Sequence, residues 1–145
     1  MSTMFFYARN FSQDISNWDV SKVTQMDAIF YGASKFNQNI NNWNTSSATS
    51  MIGTFAEASD FNKPLNNWDV SKVIRIDELF SYASSFNQPI GNWDVSATRT
   101  MNWMFNDATN FNQNISNWNV DIVVDWADFR THSGLSDANT PPKFV

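Results

Sequence analysis

The sequence predicts an α/β solenoid of about five stacked units of 25 residues, each a short helix plus a short parallel strand. Three observations carry this expectation. Phe11, Phe36, Phe61, Phe86 and Phe111 recur at one fixed interval, as do Trp18, Trp43, Trp68, Trp93 and Trp118, and no insertion breaks the register. A fixed period of this size marks a stacked architecture, because one such unit cannot bury its own apolar face. Val23, Met26, Phe30 and Ala33 fall at i, i+3, i+7 and i+10, which is one face of a helix of roughly three turns. Between such segments, Phe36 to Thr45 reads as extended chain with Phe36 and Ile40 on one face. The odd step from Ile40 to Trp43 places a turn or bulge near Asn41 and Asn42.

Further rows complete the unit. Ile15, Ile40, Leu65, Ile90 and Ile115 form one; Met26, Met51, Ile76, Met101 and Trp126 another; Ala33, Ala58, Ala83 and Ala108 a third. Met1, Met4, Phe5 and Ala8 stand where Met26, Ile29, Phe30 and Ala33 recur, so residues 1–10 read as a partial unit, with units starting near residues 11, 36, 61, 86 and 111. The solenoid is expected to span residues 1–129. His132, Gly134 and the Pro141-Pro142 pair leave the pattern, so residues 130–145 read as a C-terminal cap or tail. Ser21, Ser46, Ser71, Ser96 and Asp121 are candidate helix N-caps, with Asp19, Asn44, Asp69, Asp94 and Asn119 as alternatives two residues earlier.

Composition narrows the function classes. The chain has 145 residues, 42% of them apolar and 16% aromatic, enough to bury a continuous core. Only 16% are charged, so the surface polarity falls to Asn, Ser, Thr, Gln and Asp. A net charge of -5, with nine scattered Lys and Arg, argues against nucleic acid, which needs a clustered basic face. No cysteine is present, which removes thiol nucleophiles, disulfides and Cys-ligated zinc. No basic stretch followed by an apolar one marks a signal peptide, and no apolar run is long enough to insert in a membrane.

The stretch FNQPIGNWDVS at Phe86 to Ser96, with VTQMDAIFYGAS at Val23 to Ser34, resembles a tandem repeat of about 25 residues in bacterial surface proteins. It is similar to the mycoplasma-type lipoprotein repeat, a relative of the BspA-like leucine-rich repeats. The resemblance covers Met1 to about Phe129. It implies a right-handed, leucine-rich-repeat-like solenoid, an extracellular or cell-surface location and a role in adhesion or partner recognition. Thr54 and Thr98 depart from the pattern at positions where apolar residues recur, and Arg99 interrupts a VTxM-like stretch.

Against this background no enzyme is expected. His132 is the only histidine, and no phosphate-binding glycine loop or nucleophile elbow occurs. No cofactor and no metal are expected either. The Asp19, Asp69 and Asp94 row is broken by Asn44 and Asn119, and it fits capping better than calcium. The Trp row is either an aromatic platform for a sugar or protein, or core filling, which the fixed position favours. The Asn17 to Asn117 row reads as buried amides tying bends rather than as a ligand site.

Specificity is therefore expected at the positions that change from unit to unit. Gly32, Glu57, Tyr82 and Asp107 make one such row, and Trp103 sits where other units carry Ala28, Gly53 and Glu78. Tyr31, Lys35, Arg75, Tyr82 and Trp103 are the candidate partner contacts, for a protein or glycan at a cell surface. The competing expectation is head-to-tail self-association through an uncapped N-terminal edge of Met1, Met4, Phe5 and Phe6.

Overall fold

The computed structural model describes every residue from Met1 to Val145. The units stack in the register the sequence dictates, but neither helix nor strand builds them. The chain forms coils that begin at Met1, Met26, Met51, Ile76, Met101 and Trp126. Its only helical elements are two single turns of 3-10 helix, Asp137–Asn139 and Pro142–Phe144, both in the tail. The expected α/β, leucine-rich-repeat-like architecture is therefore wrong.

The segment expected to be helical shows why. Ala28 and Gly32 both have positive φ, 52° and 67°, which no right-handed helix accommodates. Instead, β-turns follow one another, with Tyr31 N–H donating to Ala28 O and Ala33 N–H to Phe30 O. The remaining amides point along the stack. Met26, Ala28, Phe30 and Gly32 donate to the carbonyls of Ser50, Ile52, Thr54 and Ala56 at 2.7–2.9 Å. Left-handed residues four positions apart turn the chain inward as often as a helix does, so the apolar spacing is the same in both.

The strand expectation fails in a similar way. Between Phe36 and Thr45 there is no ladder, and parallel pairing is limited to single bridges joining Gln25, Ser50, Arg75, Thr100 and Asp125. Side chains take over from the missing backbone ladder. Asn37 Oδ1 accepts from Asn62 N–H, Asn62 Oδ1 from Asn87 N–H, and Asn87 Oδ1 from Asn112 N–H, each at 3.0 Å. The residues proposed as helix caps start turns instead. Asp19, Asn44, Asp69, Asp94 and Asn119 each accept the N–H two residues on, at 2.9–3.1 Å, closing Asx turns.

The core is a set of aromatic columns. Phe30, Phe55, Phe80 and Phe105 stack at 5.5–5.7 Å from coil to coil, and each lies 3.9–4.2 Å from Phe36, Phe61, Phe86 or Phe111 beside it. Trp43, Trp68, Trp93 and Trp118 form a further, buried column. Their Nε1–H groups donate at 3.0–3.1 Å to the carbonyls of Ile15, Ile40, Leu65 and Ile90, one coil back. These four rings are scaffold, while Trp18 in the first coil is 42% exposed.

The irregular core positions are satisfied. Thr54 Oγ1 lies 2.9 Å from both Met26 O and Met51 O, which share its one proton, and Thr98 Oγ1 donates to Val73 O at 2.9 Å. No buried side-chain polar atom lacks a partner. The tail continues the stack as a shortened sixth coil. Asn139 Nδ2 donates to Asn112 O at 3.0 Å, Phe144 packs on Trp126 and Phe129, and Lys143 Nζ donates to the carbonyls of Val120, Asp121 and Val123.

Candidate functional site

Two rows of residues leave the coil in the left-handed conformation. One row is Thr3, Ala28, Gly53, Glu78, Trp103 and Asp128; the other is Tyr7, Gly32, Glu57, Tyr82, Asp107 and His132. The inter-coil ladder requires that conformation, so each unit turns through it twice. Glycine takes it at no steric cost, yet only Gly32 and Gly53 use it here. The other ten positions hold side chains that cost about 1 kcal/mol or more apiece against glycine.

At the N-terminal half these side chains interlock. Tyr7 lies across Gly32 of the next coil, where an added Cβ would meet its ring at 2.4 Å, and its hydroxyl reaches Glu57 one coil further at 3.2 Å. Tyr31 lies across Gly53 in the same manner. Phe6, Tyr7 and Tyr31 have their ring centroids within 4.8–5.6 Å of one another. Burial pushes the Tyr31 hydroxyl up to about 12, and the carboxylates of Glu57 and Glu78 add to it. The Tyr7 hydroxyl is raised by burial first, then by Glu57.

Toward the other end the same rows present Tyr82, 54% exposed, and Trp103, 42% exposed. Trp103 Nε1–H donates to Asp128 at 3.3 Å, and His132 Nδ1 lies 3.4 Å from Asp107. The two rows thus form one face of aromatic rings interleaved with Glu57, Glu78, Asp107 and Asp128.

The candidate contacts fall in several places. Tyr31, Tyr82 and Trp103 share this face. Lys35 does not: it lies past the second row, in a surface ion pair with Asp60 at 3.1 Å. Arg75 sits on the bridge-forming row, with Nε 3.8 Å from Asp77. Glu57, Glu78 and Tyr7 join the face without having been singled out, although Glu57 and Glu78 belong to the variable rows. The Asn17, Asn42, Asn67, Asn92 and Asn117 row is exposed rather than buried. At the N-terminal edge Met4 and Phe6 are half exposed, while Phe5 stacks 3.8 Å from Phe11.

No group of three or more His, Asp or Glu could hold a metal. No helix is long and apolar enough to cross a membrane. Residues 1–83 and 64–134 both match the family described as "Mycoplasma protein of unknown function, DUF285". The chain belongs to this family. Two overlapping matches along one DUF285 chain agree with the tandem units, and the second ends at residue 134, just inside the tail. No curated protein and no solved structure matches this DUF285 chain.

Proposed function

We propose that this protein is a non-catalytic binding module whose contact surface is the face of left-handed residues. The carrying observation is the pairing of exposure with backbone cost: Tyr82 and Trp103 are large, exposed and held at φ 57° and 53°. Glycine would relieve the backbone cost at both, against which Trp103 gains a surface hydrogen bond to Asp128 at 3.3 Å. Tyr and Trp offer broad, rigid surfaces that lose little entropy on binding, whether the partner is a protein or a glycan. The rigid Phe and Trp columns beneath hold the face in shape.

Display at a bacterial cell surface is the corresponding setting, and it draws on the resemblance to surface-protein repeats. The test is a glycan and protein-partner screen of the 145-residue chain against its Tyr82→Gly/Trp103→Gly variant. A partner retained by the parent and lost by the variant, with folding intact, supports the reading. Equal binding by both overturns it.

A further inference from the structure

The two left-handed rows carry the same chemical order along the stack. In one, Glu78, Trp103 and Asp128 follow one another from coil to coil, and in the other Glu57, Tyr82 and Asp107 do the same. Each exposed ring therefore has an acidic residue in the coil before it and another in the coil after it. The coils repeat at the 5.5–5.7 Å of the Phe column, so both acids of a row stand one such step from their ring. Tyr31 lies across Gly53 of one row and 5.6 Å from Tyr7 of the other, which makes the two rows one continuous surface. Its hydroxyl, raised first by burial, is raised further by Glu57 and Glu78, one acid from each row.

These acids have neutral partners. Glu57 accepts from the Tyr7 hydroxyl, and Asp128 from Trp103 Nε1–H and Thr131 Oγ1–H. Neither row holds a Lys or Arg, and neither does the row of Tyr31, Ala56, Ser81, Asn106 and Thr131 between them. His132 beside Asp107 is the one basic side chain in these rows. Arg75 is paired with Asp77, and Arg130 with Asp137. The face is thus acidic and aromatic together, and its charge is left for a partner to match. Neither of the two cavities is lined by Tyr82 or Trp103. An open surface suits a chain laid along it, whereas a small amine needs enclosure.

We propose that the partner of this face is an arginine-bearing segment of a protein, laid along the stack. A guanidinium stacks flat on the Tyr82 or Trp103 ring, and its N–H groups donate to the carboxylates of the coils on either side. An ammonium has no plane to stack, so arginine fits the order of acid, ring and acid better than lysine does. The two rings belong to neighbouring coils and to different rows, so two guanidinium sites lie side by side, offset by one coil. The net charge of -5 draws such a segment in at long range. This choice of partner rests on the binding-module reading and deepens it.

Short peptides alternating Arg with Gly, Lys with Gly and Glu with Gly are titrated into the 145-residue chain by isothermal calorimetry, at about 0.15 M salt. Three variants accompany it: Tyr82→Gly/Trp103→Gly, Glu78→Gln/Asp128→Asn and, with the same change in net charge, Asp19→Asn/Asp94→Asn. Asn already closes the same turn at Asn44 and Asn119, so the last variant keeps its fold. The Arg peptide is expected to bind several-fold tighter than the Lys peptide, and the Glu peptide not at all. The first two variants lose roughly tenfold or more in affinity for it, and the third stays close to the parent. Absence of Arg-peptide binding up to millimolar concentration overturns the proposal. So does an equal loss in both carboxylate variants, which marks general charge attraction, and so does equal affinity for the Lys peptide. If a neutral glycan is lost by Tyr82→Gly/Trp103→Gly but kept by Glu78→Gln/Asp128→Asn, the binding face stands and the arginine partner falls. If the Gly variant keeps every partner of the parent, both fall.

Discussion

The Tyr7 hydroxyl donates to the Glu57 carboxylate at 3.2 Å, across two coils, and its ring crosses the chain above Gly32. One contact thus ties three units together on the outside of a stack whose inside is tied by Phe columns. Gly32 makes the crossing possible, because a Cβ there would stand 2.4 Å from the Tyr7 ring at a φ of 67°. Gly32→Ala is expected to cost roughly 1–3 kcal/mol, from the left-handed backbone and the displaced ring together. Urea unfolding measures the cost, and a lowered Tyr7 pKa in absorbance titration reports the lost proximity to Glu57.

Tyr82 and Trp103 invert that logic, since both occupy left-handed positions with exposed side chains. Tyr82→Gly and Trp103→Gly are expected to leave stability unchanged or to raise it by up to about 1 kcal/mol each. Ala33→Gly, at a buried position outside the left-handed rows, should destabilise by about 1 kcal/mol or more. Denaturant midpoints compare the three.

Tyr31 gives the alkaline limit. Its folded pKa of about 12 lies above the ordinary tyrosine value of about 10, so the folded state holds the proton more tightly than the unfolded state does. The associated stability is complete below pH 10 and is lost as pH rises from 10 toward 12. Glu57→Gln removes one of the charges that raise this pKa. Titration at the tyrosinate absorbance should show Tyr31 ionising at lower pH in that variant, with alkaline unfolding less steep above pH 10.

The Trp column separates core from surface by a single substitution type. Trp68→Phe removes the Nε1–H donation to Ile40 O at 3.0 Å and leaves space beside the ring. Ile40 O keeps its bond from Trp43 N–H, so the loss is partial, and about 2–3 kcal/mol is expected from the weakened bond and the cavity together. Trp18→Phe, at an exposed ring, should stay within about 0.5 kcal/mol. Thermal unfolding of the two variants checks the contrast.

The stacking register was legible in the sequence because identical residues must meet identical neighbours when units pile up. Phe36, Ile40, Met51 and Ala58 are all fully buried, as their recurrence implies. The local conformation was not legible. The spacing of Val23, Met26, Phe30 and Ala33 fits a helix and a run of β-turns equally well, and only the direction of the amide bonds distinguishes them. The left-handed positions were hidden because Glu57, Tyr82 and Trp103 are poor markers of positive φ. Gly32 and Gly53, standing in the same two rows, were the available signal. Asp14, Asn39, Pro64, Pro89 and Asn114 form another missed row: these Asx and Pro residues immediately precede the Ile/Leu row whose carbonyls close each turn onto Trp N–H. The candidate face was half legible, since the variable rows pointed to it while the Tyr7–Glu57 crossing depends on the stacked geometry.

The turn-built coil is the claim on which the binding face depends. It is tested most directly by NMR scalar couplings transmitted through hydrogen bonds. The structure predicts couplings from the amides of Ala28, Phe30 and Gly32 to the carbonyls of Ile52, Thr54 and Ala56, one coil away. Couplings from Phe30 and Ala33 to the carbonyls four residues earlier, at Met26 and Ile29, would show the helix and contradict the account.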